Sequence, residues 1–180
     1  MRKTFLSLVA VAGLALLTFN PLLAQEQEQR VANRLVYAEL GGPGVLMSVH
    51  FDSRFDSESR LGFGYRLGVG HGVRQERTDG GWYWRTRTYA TIPIGLNYVF
   101  GRPDSPHALE VGVGTTILTH SVSLFTWGYE RPGHFIGTVS FMYRRMPVDG
   151  GFSWRIGITP MIGTSGDVVP MGGVGFGFVF

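Results

Sequence analysis

The chain has no cysteine among its 180 residues. That excludes a disulfide framework, a thiolate metal site and a lipoprotein-type anchor, which needs a cysteine. Charge is scarce as well. Only 16% of residues are charged, against the ~25% of a typical soluble domain. Lysine is confined to Lys3. Every later basic residue is an arginine, the side chain favoured where several acceptors hold one guanidinium. After residue 24 no apolar run approaches the ~20 residues of a membrane helix, and helical periodicity is missing throughout. The sequence pI of about 9.5 is no sign of nucleic-acid binding. Without Arg2 and Lys3 the chain holds 14 arginines against 13 acids, a near balance.

What is present begins with a targeting segment. Arg2 and Lys3 are followed by the apolar FLSLVAVAGLALL, then by PLLA and the polar QEQEQ. This order predicts a secretory signal peptide over 1–24, cleaved after Ala24. A short periplasmic segment, 25–33, would lead into a single domain over 34–180.

That domain reads as all-β. Period-two alternation predicts strands at about 34–42, 44–55, 61–75, 82–101, 107–122, 134–146, 152–163 and 168–180. The connectors RFDSESR, GRPDSPH and PVDGG are compact and polar. HGVRQERTDGGWYW and LFTWGYERPGHF are longer and aromatic, so short turns alternate with long loops. The first hairpin, through GGPG, is the tightest.

The two faces of these strands differ in kind. Val45, Met47, Val49, Phe51 and Phe55 oppose Ser48, His50, Asp52 and Arg54. Leu61, Phe63, Tyr65, Leu67 and Val69 oppose Gly62, Gly64, Arg66, Gly68 and Gly70. Ile92, Ile94, Leu96, Tyr98 and Phe100 lie opposite Asn97 and its glycine and threonine neighbours. The fifth, seventh and last strands repeat the pattern around Glu110, Arg155 and the glycines of GGVGFGFVF. An eight-stranded barrel has an interior just wide enough for side chains, too small for the large apolar set. The apolar face is therefore expected outside, in lipid, with glycine and a few charges inside. Closure follows, because lipid satisfies no open sheet edge. Phe51, Phe55, Phe63, Tyr65, Tyr98, Phe100, Tyr143, Phe152, Trp154, Phe178 and Phe180 are expected near one rim, as an interfacial girdle. Pro93, Pro160 and Pro170 each remove a ladder donor, and bulges near the rims are expected to accommodate them.

With IPIGLNYVFG and LEVGVG as strand motifs and a terminal Val174, Phe176, Phe178, Phe180 alternation, the chain resembles small outer-membrane β-barrels of the eight-stranded, OmpA-like class. The resemblance covers most of 34–180. It implies an eight-stranded antiparallel up-and-down transmembrane barrel with both termini periplasmic. It also implies outer-membrane lipid as the surroundings, and Phe176, Phe178 and Phe180 as the signal read by the barrel-assembly machinery.

Three sets of residues could carry chemistry. Asp52, Arg66, Glu110, Arg144 and Arg155 are the inward charges. Asp52 is the expected partner of Arg66, Glu110 could oppose Arg144, and Arg155 should lie beside Arg144. A stack of ion pairs plugging a narrow lumen explains them, since buried charges must be paired; a gated ion path is the functional alternative. The second set is THSVS, which loosely resembles the His-x-Ser of outer-membrane lipid A deacylases. His120 would activate Ser121 or Ser123, with Glu130 to orient it. On a regular strand, however, both serines face away from His120. The third is TWGYERPG, aromatic and basic at a loop tip, suited to a glycan or a partner. GVGFG and GFGYRLG have period two and lack the strand–turn–helix context of a phosphate loop. The five histidines show no paired metal-ligand spacing. The reading is a non-enzymatic envelope barrel without cofactor or metal, with a deacylase-like enzyme or a narrow pore as alternatives.

Overall fold

The computed structural model describes residues 31–77, 84–122, 133–164 and 166–180. The chain divides into two units after Arg30, and the second, Val31–Phe180, carries the strands found among the described residues. The expected signal peptide and most of the 25–33 segment lie outside the described residues, as do 78–83 of the first long loop and 124–132 of the second.

The period-two pattern forms strands β1 (Arg34–Gly41), β2 (Met47–Arg54), β3 (Gly62–Arg77), β4 (Trp84–Gly101), β5 (His107–Val122), β6 (Gly133–Arg145), β7 (Gly151–Ile158), β8 (Met161–Ile162), β9 (Val168–Val169) and β10 (Gly172–Val179). Neighbours in sequence pair antiparallel from β1 to β7. β10 lies between β7 and β1, so the sheet closes on itself. Arg34 and Phe180 finish the seam with two backbone hydrogen bonds, 3.1 and 2.9 Å. The fold is a closed antiparallel β-barrel of eight staves; β7 with β8 makes one stave and β9 with β10 another.

Two staves are broken where proline lacks its N–H, yet the expected bulges are not there. β8 continues on β6 in the register of β7, with Phe141 opposite Ile158 and Gly137 opposite Ile162. Across the break the Val139 N–H donates to the Pro160 carbonyl, and the Thr159 N–H to the Met171 carbonyl. Pro93 leaves a gap in the β3–β4 ladder without changing register, from Leu67 opposite Ile94 to Gly70 opposite Thr91. The gap is two register pairs wide, and the pairs on either side hold the frame. The register does shift between Ile117 and Val122, on the β5–β6 ladder.

The first hairpin also departs from expectation. GPG forms a single 3-10 turn over Gly42–Gly44, entered through Gly41 and Gly42 at φ 71° and 63°. The turn is buried and folds over the interior. The Thr116 hydroxyl donates to the Pro43 carbonyl at 2.6 Å, and that of Thr91 to the Gly44 carbonyl at 3.1 Å. Val45, expected on the outer face, is turned at φ 77°, a conformation a β-branched residue rarely adopts. Its side chain packs instead on the buried cluster of Tyr89, Leu118, Ile136 and Met161. Leu61, also expected outside, packs against a second inner cluster of Ala32, Leu35, Tyr37, Val99, Ala108, Met146 and Val179.

Elsewhere polarity is inverted relative to a soluble domain. Arg66, Arg144, Arg155, Glu39, Glu110 and His50 are among the largest fully buried side chains. Val49, Phe63, Val69, Leu96, Leu109, Ile158 and Phe176 are exposed. The outward aromatics meet around the rim that holds the termini. Phe55 touches Tyr65, Phe63 packs edge-on to Tyr98, and Tyr98 lies against Phe100. Farther round, Tyr143 meets Trp154, and Phe152 meets Phe176 and Phe178.

The charged interior as candidate functional site

Antiparallel pairing places inward residues of neighbouring strands side by side, which is how the seven strands from β1 to β7 contribute to one polar layer. Glu110 on β5 is its centre. Its Oε1 accepts from Arg66 Nη1 at 3.2 Å and Arg155 Nη2 at 3.1 Å, and its Oε2 from Arg144 Nη1 at 2.8 Å. Asp52 is the second hub. It accepts from Arg54 and from the Asn97 amide, and Arg144 Nη2 approaches it at 3.5 Å. Arg54 also donates to the Asn97 side-chain carbonyl at 2.7 Å and to the Gly62 carbonyl at 2.9 Å.

Asp52 and Arg66 are register partners on β2 and β3, yet they are not the ion pair the sequence suggested. Arg66 reaches across the lumen to Glu110, and Asp52 turns to Arg54, Asn97 and Arg144. A long guanidinium in a barrel lined by glycine is free to cross it. Glu110 and Arg144 meet diagonally, since Glu110 faces Met142 and Arg144 faces Ala108. Arg144 and Arg155 are direct neighbours across β6 and β7.

Tyr37 and Glu39 belong to the same layer and were not singled out from the sequence. Arg155 Nη1 donates to the Tyr37 hydroxyl at 2.8 Å while its guanidinium carbon sits 4.7 Å from the ring centre. His50 also stacks on the Tyr37 ring, with centroids 4.9 Å apart. Glu39 lies 3.3 Å from His50 Nε2 and 3.4 Å from Arg155 Nε, and its two oxygens accept no well-formed hydrogen bond among the described residues. The layer thus holds the carboxylates of Glu39, Asp52 and Glu110 and the guanidiniums of Arg54, Arg66, Arg144 and Arg155. Each such charge in a low-dielectric interior demands partners, and removing one strands the rest.

Ser48, His50 and Glu39 offer the residue types of a hydrolytic triad without its geometry. Ser48 Oγ and Glu39 Oε2 both address His50 Nε2, at 2.7 and 3.3 Å. A triad uses one imidazole nitrogen for each. The set is buried beneath the inward turn.

At the rim of the termini, Arg60 closes the interior. Its guanidinium donates to the carbonyls of Met146 (2.8 Å), Arg102 (3.4 Å) and Ser105, tying three turns together. Burial pulls its pKa below the usual guanidinium value, and the Asp104 and Asp149 carboxylates act the other way.

Of the second candidate set, His120 and Ser121 lie on β5, and their side chains are outside the described residues. Ser123 and Glu130 lie outside them altogether, as does nearly all of TWGYERPG. The β5–β6 register shift does span His120 and Ser121. Phe176 and Phe178 are on β10 and Phe180 follows it, all three exposed. No group of three or more metal-ligating side chains occurs among the described residues.

No protein-family model, curated protein or solved structure matches this chain.

Proposed function

We propose that the chain is an integral outer-membrane β-barrel with a side-chain-plugged lumen, a non-enzymatic envelope protein acting structurally or through its surface loops. The inversion of polarity carries this reading: charges occupy the interior and large apolar side chains the exterior. In water such an exterior would be far more apolar than the patches soluble monomers expose. In a bilayer it is what the solvent requires. The outward run Ile92, Ile94, Leu96, Tyr98, Phe100 spans nine residues, close to the ~9–11 of a tilted crossing strand. The aromatic rim suits a membrane–water interface.

The expected partners are outer-membrane lipid and the barrel-assembly machinery, with the termini on the periplasmic side. Apolar clusters and the GPG turn bracket the charged layer, which favours a plug over a pore. The test is insertion into lipid vesicles with heat-dependent gel mobility, together with fractionation alongside outer membranes. Recovery as a soluble monomer without detergent would overturn the reading. Lipid A from cells with and without the protein should be identical; a lost or gained acyl chain would make His120 with Ser121 or Ser123 the site to pursue.

A further inference from the structure

The geometry points to a phospholipid-headgroup site on the outer wall, at the rim of the termini. The inference rests on the membrane reading and adds a specific ligand to it. A shallow groove of about 450 Å³ runs where the end of β4, the start of β5 and the end of β6 meet. Its lining changes character along its length. Phe100 and Leu109, 50% and 59% exposed, form the part toward the middle of the barrel wall. Arg102, Ser105, His107 and Tyr143 form the part at the rim.

The polar end is preorganised. The His107 ring stacks beside Tyr143, centroids 6.0 Å apart, and its Nδ1 shares a hydrogen bond with the Tyr143 hydroxyl. That contact fixes the imidazole. Tyr143 is itself held by Trp154 at 5.3 Å. The Arg102 backbone carbonyl is tied to Arg60, which anchors the turn, whereas the Arg102 side chain makes no hydrogen bond or ion pair among the described residues. Asp104, the acid of this turn, lies near Arg60. An anion at this spot would meet a guanidinium without a partner among the described residues and an ordered imidazole.

The two-zone lining selects the occupant. A phosphate diester carries one negative charge and suits a planar guanidinium donor. Its glycerol and acyl chains would lie down the wall over Leu109 and Phe100, continuous with the aromatic belt. A free anion would use only the rim, and a neutral lipid only the wall. A glycerophospholipid uses both.

The test compares wild type with Arg102→Glu and with the double variant Arg102→Ser/His107→Ala. Both positions are exposed, so folding should survive, and vesicle insertion is checked first by heat-dependent mobility. Folded protein in a maltoside detergent is offered dipalmitoyl phosphatidylglycerol, dipalmitoylglycerol or glycerol 3-phosphate, and bound molecules are counted by native mass spectrometry. Wild type should retain the phospholipid and neither fragment. Each Lys or Arg near a membrane surface is worth about fivefold in affinity for anionic lipid. The double variant, which loses one such cation and the imidazole donor, should therefore bind roughly fivefold or more weakly, and Arg102→Glu weaker than a neutral change would. Equal retention by wild type and variants, or equal binding of dipalmitoylglycerol, would overturn the site and leave the membrane reading standing. Binding of glycerol 3-phosphate as tight as the phospholipid would overturn it too, making this an anion site and not a lipid site. Failure of wild type to insert would overturn both.

Discussion

Arg144 and Arg155 stand directly opposite each other across β6 and β7, and both donate to the same carboxylate, that of Glu110. Two like charges at such a position repel. They coexist because Glu110 gives one oxygen to each, and because Asp52 and Glu39 take the next nearest contacts. Arg66 then shares the oxygen used by Arg155. One side chain holds three cations in place.

Glu110→Gln tests that arrangement. The amide keeps the shape and removes the charge, leaving two buried carboxylates against four guanidiniums. Removing one member of a buried ion network costs about 3–5 kcal/mol. Urea unfolding of the barrel in lipid vesicles should show a loss of that order. Unchanged stability would mean that the interior charges are balanced by something other than each other.

Arg66 provides a test of direction. Arg66→Leu should destabilise the barrel, since it leaves Glu110 with fewer donors. An outward arginine at mid-bilayer costs about 2–4 kcal/mol on the lipid face, so a stabilised variant would reverse the facing of β3. The coupling partner is equally specific. A double-mutant cycle of Arg66 with Glu110 should give a coupling of roughly 0.5–3 kcal/mol. The same cycle with Asp52, the register neighbour Arg66 does not bond, should give the smaller value.

The barrel was legible because period two and glycine placement act along the whole chain, and an interior of eight strands has no room for so many large apolar side chains. The partner choices were not. Register identifies which Cα atoms face each other, and Asp52 opposite Arg66 looks like a pair on those grounds alone. An arginine side chain spans more than one strand spacing, so its partner depends on the empty space that glycines leave in the lumen. Tyr37 and Glu39 escaped for another reason. β1 alternates Leu35, Tyr37 and Glu39 with Val36, Ala38 and Leu40, and each face carries apolar side chains, so polarity does not separate them. The turn after β1 hid its own inward fold, because GGPG reads as a tight hairpin whether it points out or in.

Closure of the barrel depends on one glycine more than on its neighbours. A Cβ on Gly177 would strike the Val36 carbonyl and the Tyr37 backbone across the β1–β10 seam, and backbone does not move aside as a flexible side chain can. Gly172, on the same strand, has no such neighbour closer than 4.0 Å. Gly177→Ala should therefore lower refolding yield into vesicles sharply, while Gly172→Ala leaves it near wild type. Equal yields would mean that the seam is loose enough to absorb a methyl group.

Phe180 separates a backbone role from a side-chain role. Its N–H and carbonyl both pair with Arg34, so deletion removes two seam hydrogen bonds. Its ring is 57% exposed and contributes little to the interior. Phe180→Ser keeps the backbone bonds and removes only the ring. If the ring is what the assembly machinery reads, the serine variant should refold in vesicles with a urea midpoint close to wild type, yet accumulate as folded barrel in cells at a much lower level. Deletion should lower both quantities. Quantifying heat-modifiable protein in outer-membrane fractions, beside the vesicle midpoint, distinguishes the cases. A serine variant that reaches wild-type levels in cells would show the terminal aromatic to be incidental to assembly.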